Sequence, residues 1–246
     1  DIEIVTLSLT IGARLITSTF GISDAGNISI IARDAVSFDG EDSEGFPSGI
    51  LSGVLPNAEG NGANIKITTD DSLFITNGAL ISDSTGGLGS AGGIELNAKK
   101  TVLFDGETSY GFSAGTVSQV NPGAIGNAGK VEINTDSLFI TNSGQVSTAT
   151  SGIGDAGNII VTANSVDFSN GGLLRTSTAS NNKAGNITLN IKDNITLTGS
   201  ETGIFANTTK NSTGNGGSII IDPEVVNIFD GALISVDSQG TGIGGD

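Results

Sequence analysis

The chain has no cysteine, methionine, tryptophan or histidine, and only four prolines and one tyrosine among 246 residues. Without Cys there is no disulfide, no thiolate chemistry and no Cys-type zinc site. Without His the commonest general base and metal ligand is missing. Basic residues are scarce too, and 10 Lys and Arg against 26 Asp and Glu leave a net charge of −16. So acidic a chain repels nucleic acid and anionic lipid, and neither is expected as a partner. No apolar run approaches the roughly 18 residues of a membrane-spanning helix, so membrane insertion is not expected.

Glycine is plentiful, 38 residues, accompanied by Ser, Thr and Asn. Much Gly with little Pro suits many tight turns between short strands. The β-branched residues are too regularly placed for a disordered linker. Two apolar pairs recur in the same order eight times. The first runs Ile2/Ile4, Ile28/Ile30, Ile65/Ile67 and on to Ile219/Ile221; the second runs Leu7/Leu9, Val36/Phe38, Leu73/Ile75 and on to Val226/Ile228. Spacing of two within a pair is the period of a strand with one buried face. Recurrence at roughly 28–37 residues is the period of a solenoid.

A typical unit, Ala156 to Lys183, holds three strands and three turns, one coil of a triangular parallel β-helix. The third strand carries its own inward column: Leu15, Leu51, Ile81, Val117, Val146, Leu174, Ile204 and Ile234. Stacked ~4.8 Å apart, eight coils would make a rod of roughly 38 Å. The Asn-Gly pairs Asn77-Gly78 and Asn170-Gly171 read as corners, since each follows the second strand of its unit. A sandwich would lack the coil-length recurrence, an α/β fold would need helical periodicity, and a transmembrane barrel carries aromatic girdles. The fold class is therefore all-β: one continuous β-helix over residues 1–246. Both ends fall near the same point of the repeat, with Asp1-Ile2-Glu3-Ile4 aligned on Asn158-Ile159-Ile160-Val161. This reads as a segment cut from a longer array.

Two coils are longer, with extra residues near 39–62 and 105–128. They match at an offset of 66, as in Asp39/Asp105, Glu41/Glu107, Gly45/Gly111, Phe46/Phe112 and Pro56/Pro122. A two-coil super-repeat was duplicated. Insertions in solenoids emerge as loops, often on the binding face. These two should project from one side, roughly 10 Å apart, with Phe46, Phe112, Glu41 and Glu107 as candidate binding residues.

The runs Gly154-Asp155-Ala156-Gly157-Asn158-Ile159 and Ser165-Val166-Asp167-Phe168 resemble the repeat region of filamentous-haemagglutinin-like exoproteins. So do Asp71-Ser72-Leu73-Phe74-Ile75-Thr76-Asn77 and Asp136-Ser137-Leu138-Phe139-Ile140-Thr141-Asn142. The likeness is greatest to large cyanobacterial members secreted by two-partner systems, and it covers essentially the whole chain. It implies a right-handed parallel β-helix, export through an outer-membrane secretion partner, and an adhesive or fibre-forming role outside a Gram-negative cell. Partners would then be a surface glycan or protein, or further copies of the chain. No residue-level site follows from it.

A carbohydrate-active β-helix enzyme is the alternative. Glycoside hydrolysis needs two carboxyls at a set separation, but the acids here lie mostly at corners, at Asp24, Asp39, Asp105, Asp155 and Asp230. Arg14, Arg33, Lys66, Arg175 and Lys192 are scattered. No catalytic residue is assigned and no enzyme is expected. Calcium is the one cofactor with candidates, Asp39, Glu41, Asp105 and Glu107; otherwise no cofactor or metal is expected. The Gly-Gly-x-Gly-x-Asp nonapeptide of repeat toxins is absent, Thr241 to Asp246 being a poor match. Ser/Thr runs on the third side, such as Thr17-Ser18-Thr19 and Thr176-Ser177-Thr178, read as a solvated hydroxyl-rich face. An ice-binding threonine array is the sharper reading, but Gly53, Gln119 and Val236 interrupt it. Asn27, Asn64, Asn158 and Asn186 form an interrupted turn ladder, and Phe74, Phe139, Phe205 and Phe229 point outward by register.

Overall fold

A computed structural model describes residues 1–246 as a parallel β-solenoid of eight coils, without a helix. Each coil lays one strand on each of three faces. The first face stacks β1 (Ile2–Ile4), β4 (Ile28–Ala32), β7 (Ile65–Thr69), β10 (Ile94–Ala98), β13 (Val131–Asn134) and β20 (Ile219–Ile221). The second stacks β2 (Leu7–Thr10), β5 (Val36–Asp39), β8 (Leu73–Thr76), β11 (Thr101–Asp105), β14 (Ser137–Thr141) and β21 (Val225–Phe229). Two long strands, β16 (Ile159–Ser169) and β18 (Ile187–Thr198), bend round the corner and serve both faces. That bend joins the two faces into one 14-stranded sheet. The third face is a separate eight-stranded sheet: β3 (Arg14–Thr19), β6 (Gly49–Val54), β9 (Leu80–Thr85), β12 (Gly115–Val120), β15 (Gln145–Thr150), β17 (Leu173–Thr178), β19 (Gly203–Thr208) and β22 (Leu233–Ser235). Every pairing between these strands is parallel, from Ile28↔Ile65 to Ile187↔Ile219.

The apolar columns do what their period requires. On the second face Phe38, Ile75, Phe104, Ile140, Phe168 and Leu197 stack with no exposure at all. Phe alternates there with an aliphatic residue, so wide and narrow side chains interleave along the axis. Each fully buried aliphatic contributes about 1.5–3 kcal/mol, and it does so against the coils on both sides. At the ends one side is missing: Val226 and Ile228 occupy the same columns yet stay exposed, and Leu7 and Leu9 are only partly buried.

Two registers differ from the sequence reading. Ile2 pairs with Ile30, not Ile28. The link from Ile4 to Leu7 is short, and with Leu7 fixed on Val36 the first strand must slide two residues along. The alignment of Asp1 to Ile4 on Asn158 to Val161 is corrected accordingly. On the third face the inward residues of the long coils are Ile50 and Thr116, not Leu51 and Val117. There the strands start at Gly49 and Gly115, on the rungs of Arg14, Leu80 and Gln145. Alternation then carries Ser52 and Ser118 inward, where each hydroxyl oxygen accepts a backbone N–H, from Ala63 at 3.1 Å and Gly129 at 2.7 Å. These hydrogen bonds outrank the exposure of one apolar side chain per strand.

The third face also corrects the hydroxyl reading. Thr17, Thr148 and Thr176 point inward, donating to the carbonyls of Gly26, Gly157 and Gly185. Thr150, Thr178 and Thr208 are inward and buried as well. The hydroxyls therefore line the core and pin the third strand to the corner after it. That corner is built from glycines: a Cβ on Gly157 would lie 1.9 Å from the carbonyl oxygen of Gly129 in the preceding coil. Outside it run two side-chain ladders. The first is the expected one, in which Asn27, Asn64, Asn158 and Asn186 accept the amide of the following coil at 2.8–3.0 Å. The second, Asp24, Asn61, Ser90, Asn127 and Asp155, is more continuous and does the same.

Candidate functional site

The site is built on the corner between the second and third faces. In most coils that corner is a two-residue turn in left-handed conformation: Ile11-Gly12, Asn77-Gly78, Asn142-Ser143, Asn170-Gly171 and Asp230-Gly231. The Asn-Gly pairs are thus corners, as their position predicts. Asn, Asp and Gly tolerate a positive φ; Ile11, at φ 56, and Ser143, at φ 68, are the exceptions, and of the two only Ile11 is β-branched.

In the second and fourth coils the turn is replaced by an excursion, shorter than the 39–62 and 105–128 segments of the sequence reading. The first leaves at Gly40 and returns at Ser48, the second leaves at Gly106 and returns at Ala114, each closed by the bond between its ends. Each is a miniature antiparallel hairpin, Glu41 bridging Pro47 and Glu107 bridging Ser113. A side-chain oxygen closes each tip: Asp42 Oδ1 accepts from Glu44 N and Phe46 N, and Thr108 Oγ1 accepts from Phe112 N. Different residues thus make the same turn at the same place.

The two loops do not project separately. Glu41 Oε1 accepts from the amide of Ser109 at 3.0 Å and from its hydroxyl at 2.6 Å. The ring of Tyr110 lies on Gly45, so close that a Cβ there would meet it at 2.5 Å. The loops of the second and fourth coils are clasped across the third. Their bases are seated too: Gly12 N donates to Ser48 Oγ, Arg14 lies 3.9 Å from Asp42, and its guanidinium sits 5.0 Å from the centre of the Phe46 ring. Thr108 packs against Gly78.

Of the predicted residues, Phe46 and Phe112 face solvent, 48 % and 67 % exposed, with Tyr110 at 68 %. Glu41 is the hinge of the clasp, its Oε2 buried without a partner, whereas Glu107 is exposed. Asp39 and Asp105 sit one coil below corner residues and accept from them: Oδ1 of Asp39 from Thr76 and Asn77, Oδ1 of Asp105 from Thr141 and Asn142. These four acids, named above as calcium candidates, do not converge; no three Asp or Glu side chains anywhere come together as a cation site. Sequence reasoning missed Ser109, Tyr110, Asp42 and Arg14. The signal lay in the departures from the 66-residue repeat, Asp42 against Thr108 and Glu44 against Tyr110, since it is Tyr110 that reaches back.

A second unusual group lies inside. Asp83 of β9 is fully buried between Ser52 and Ser118 on the neighbouring rungs, the one charged type of residue in the core. Neither carboxylate oxygen has a hydrogen-bond partner. Burial pushes its pKa up from 3.8 to about 7, opposed in part by the nearby Ser52 hydroxyl and Gly92 amide. Asp167, on the outer side of the second face beside Phe139, is also raised by partial burial. Two half-buried carboxylates, Asp71 at the corner before β8 and Glu95 on the first face, go the other way. Asp71 is lowered chiefly by its hydrogen bond from Lys100, and Glu95 by those from Asn97 and Lys66. Along the corner after the third face, a shallow polar groove runs between the two Asn/Asp ladders past Lys130 and Lys183. The outward phenylalanines are where register put them, Phe139 and Phe229 open to solvent and Phe74 and Phe205 partly so.

Compared with protein-family models, with curated proteins and with solved structures, the chain matches none.

Proposed function

We propose that this chain is a structural and adhesive shaft, a β-helical segment of a secreted exoprotein that stands at the surface of a Gram-negative cell. The observation that carries this reading is the clasped loop pair, a rigid protrusion fixed on the side of a rod. A rod holds such a feature at a distance and presents its faces for many weak contacts, whose avidity exceeds any one of them. The dispersal of carboxylates and bases speaks for contact rather than catalysis: general acid and base work needs two groups facing one bond, and Glu44 and Glu107 stand exposed on separate loops. The inward threonines leave the third face without the flat hydroxyl array that ice binding needs. Calcium plays no part in the proposal. Export through an outer-membrane partner rests on the resemblance in sequence alone.

The test is adhesion by coated beads. Each loop is replaced by Asn-Gly, the turn already used at Asn77-Gly78, which leaves the coils intact. Beads bearing the parent chain should adhere to cell or biofilm surfaces, and beads bearing the trimmed chain should lose most of that adhesion. Equal adhesion by the two would refute the reading.

Fibre formation is the second reading, implied by the resemblance in sequence: parallel β-helical coils stack on one another through their strand edges, and coils of separate copies can do the same. Electron microscopy separates the readings: end-to-end filaments support assembly, whereas single short rods leave adhesion.

A further inference from the structure

We infer that the clasped loops form an aromatic platform for a neutral, extended β-1,4-linked glycan. This deepens the adhesive reading above by naming the ligand class of its loop pair.

Three rings are offered to solvent at one place, Phe46, Tyr110 and Phe112, in a chain with one Tyr, no Trp and ten Phe. They are held still. Both hairpins are closed by backbone bonds, both tips by a side-chain oxygen, and the loops by Glu41 on Ser109. Preorganised rings bind without paying the cost of ordering a loop. Phe46 and Phe112 occupy the same turn of their hairpins, Asp42 N donating to the Phe46 carbonyl and Thr108 N to that of Phe112. They sit two coils apart, about 10 Å along the axis, with Tyr110 reaching back over Gly45.

A sugar ring offers an apolar C–H face to stack on an aromatic ring, and hydroxyls around its edge. In an extended β-1,4 chain each sugar is turned over relative to the next, so the same face returns at every second unit. That spacing is close to two coils of the rod. The exposed carboxylates of Glu44 and Glu107, on the same two loops as the rings, supply acceptors for sugar hydroxyls. The net charge of −16 turns away sulfated and uronic-acid polymers, which leaves a neutral chain. A curved α-1,4 glycan does not keep its faces in line and should not fit.

The test is titration calorimetry of the whole chain with cellohexaose, chitohexaose and maltohexaose. The two β-1,4 hexamers should include at least one that binds, and maltohexaose should bind markedly less. Phe46→Ala and Phe112→Ala should each weaken binding about tenfold; both side chains are at the surface, and circular dichroism checks that the coils persist. No binding by either β-1,4 hexamer, equal binding of maltohexaose, or full binding by the Phe46→Ala/Phe112→Ala double variant would each overturn the platform. The bead assay separates the two claims. Beads of the parent chain that adhere although neither β-1,4 hexamer binds leave the adhesive shaft standing and remove the glycan platform. Hexamer binding by a chain whose beads do not adhere does the reverse.

Discussion

Asp83 allows the interior to be tested by pH. Its column on the third face runs Thr17, Ser52, Asp83, Ser118, Thr148, Thr176 and Ala206, and each of the five hydroxyls in it meets the backbone of the next corner. Asp83→Ser restores the pattern, with the Gly92 amide as the donor waiting in the third coil. The folded state holds the carboxyl at about 7 and the unfolded chain at its ordinary 3.8, so the native state binds the proton more tightly. Stability is therefore fully present below about pH 4, declines as pH rises through the interval, and is lowest above pH 7. At 1.36 kcal/mol per unit, ionisation linked to Asp83 costs about 1.5 kcal/mol at pH 5 and about 4 kcal/mol at pH 8.5. The measurement is urea unfolding by circular dichroism at both pH values. All other carboxylates cancel when the two chains are compared at one pH. The advantage of Asp83→Ser over the parent should grow by roughly 2–3 kcal/mol between pH 5 and pH 8.5. A difference that does not change with pH would show that Asp83 is solvated, and would refute the dry core assigned to this face.

Gly157→Ala should cost about 3 kcal/mol or more, because its Cβ would meet the Gly129 carbonyl at 1.9 Å and backbone in a ladder cannot step aside; thermal melting reads it. Ile11→Asn should instead stabilise by roughly 1 kcal/mol, since Asn tolerates the left-handed φ 56 that Ile11 holds while its side chain is 78 % exposed; an unchanged melting temperature would count against strain at this corner. Asn158→Ala removes the acceptor of the Asn186 amide at 2.8 Å and should cost about 1 kcal/mol, seen as faster hydrogen exchange at that amide.

The periodic features were legible because a column repeated eight times overrides local ambiguity. Val36, Ser37 and Phe38 alternate apolar, polar and apolar, and with that column recurring at coil length they can only be a strand with one face inside. The third face was half legible. In Gly49-Ile50-Leu51-Ser52 two apolar residues adjoin, and hydropathy cannot say which is inward; the hydrogen bond from Ala63 to Ser52 decides. The same reason hid the fate of the threonines, whose hydroxyls serve a wet face or a hydrogen-bonded core equally well. Loop positions were legible from the repeat, whereas the clasp was not. Glu41 and Ser109 are 68 residues apart, and no periodic rule brings them together. The first register failed for lack of redundancy: β1 has three residues and one neighbour, so the length of its connection outweighed its pattern.

The clasp has a mechanical consequence. A stack of coils held only by nearest neighbours unravels from an end, one coil at a time, each step releasing one coil of chain. Glu41 on Ser109 ties the second coil to the fourth without involving the third. Under tension applied along the axis, coils five to eight can peel away singly, while the second to fourth share a load and give way as a group. The rod is thus most resistant to unravelling where its loops stand, because there a coil cannot leave without also breaking a bond to the coil beyond its neighbour.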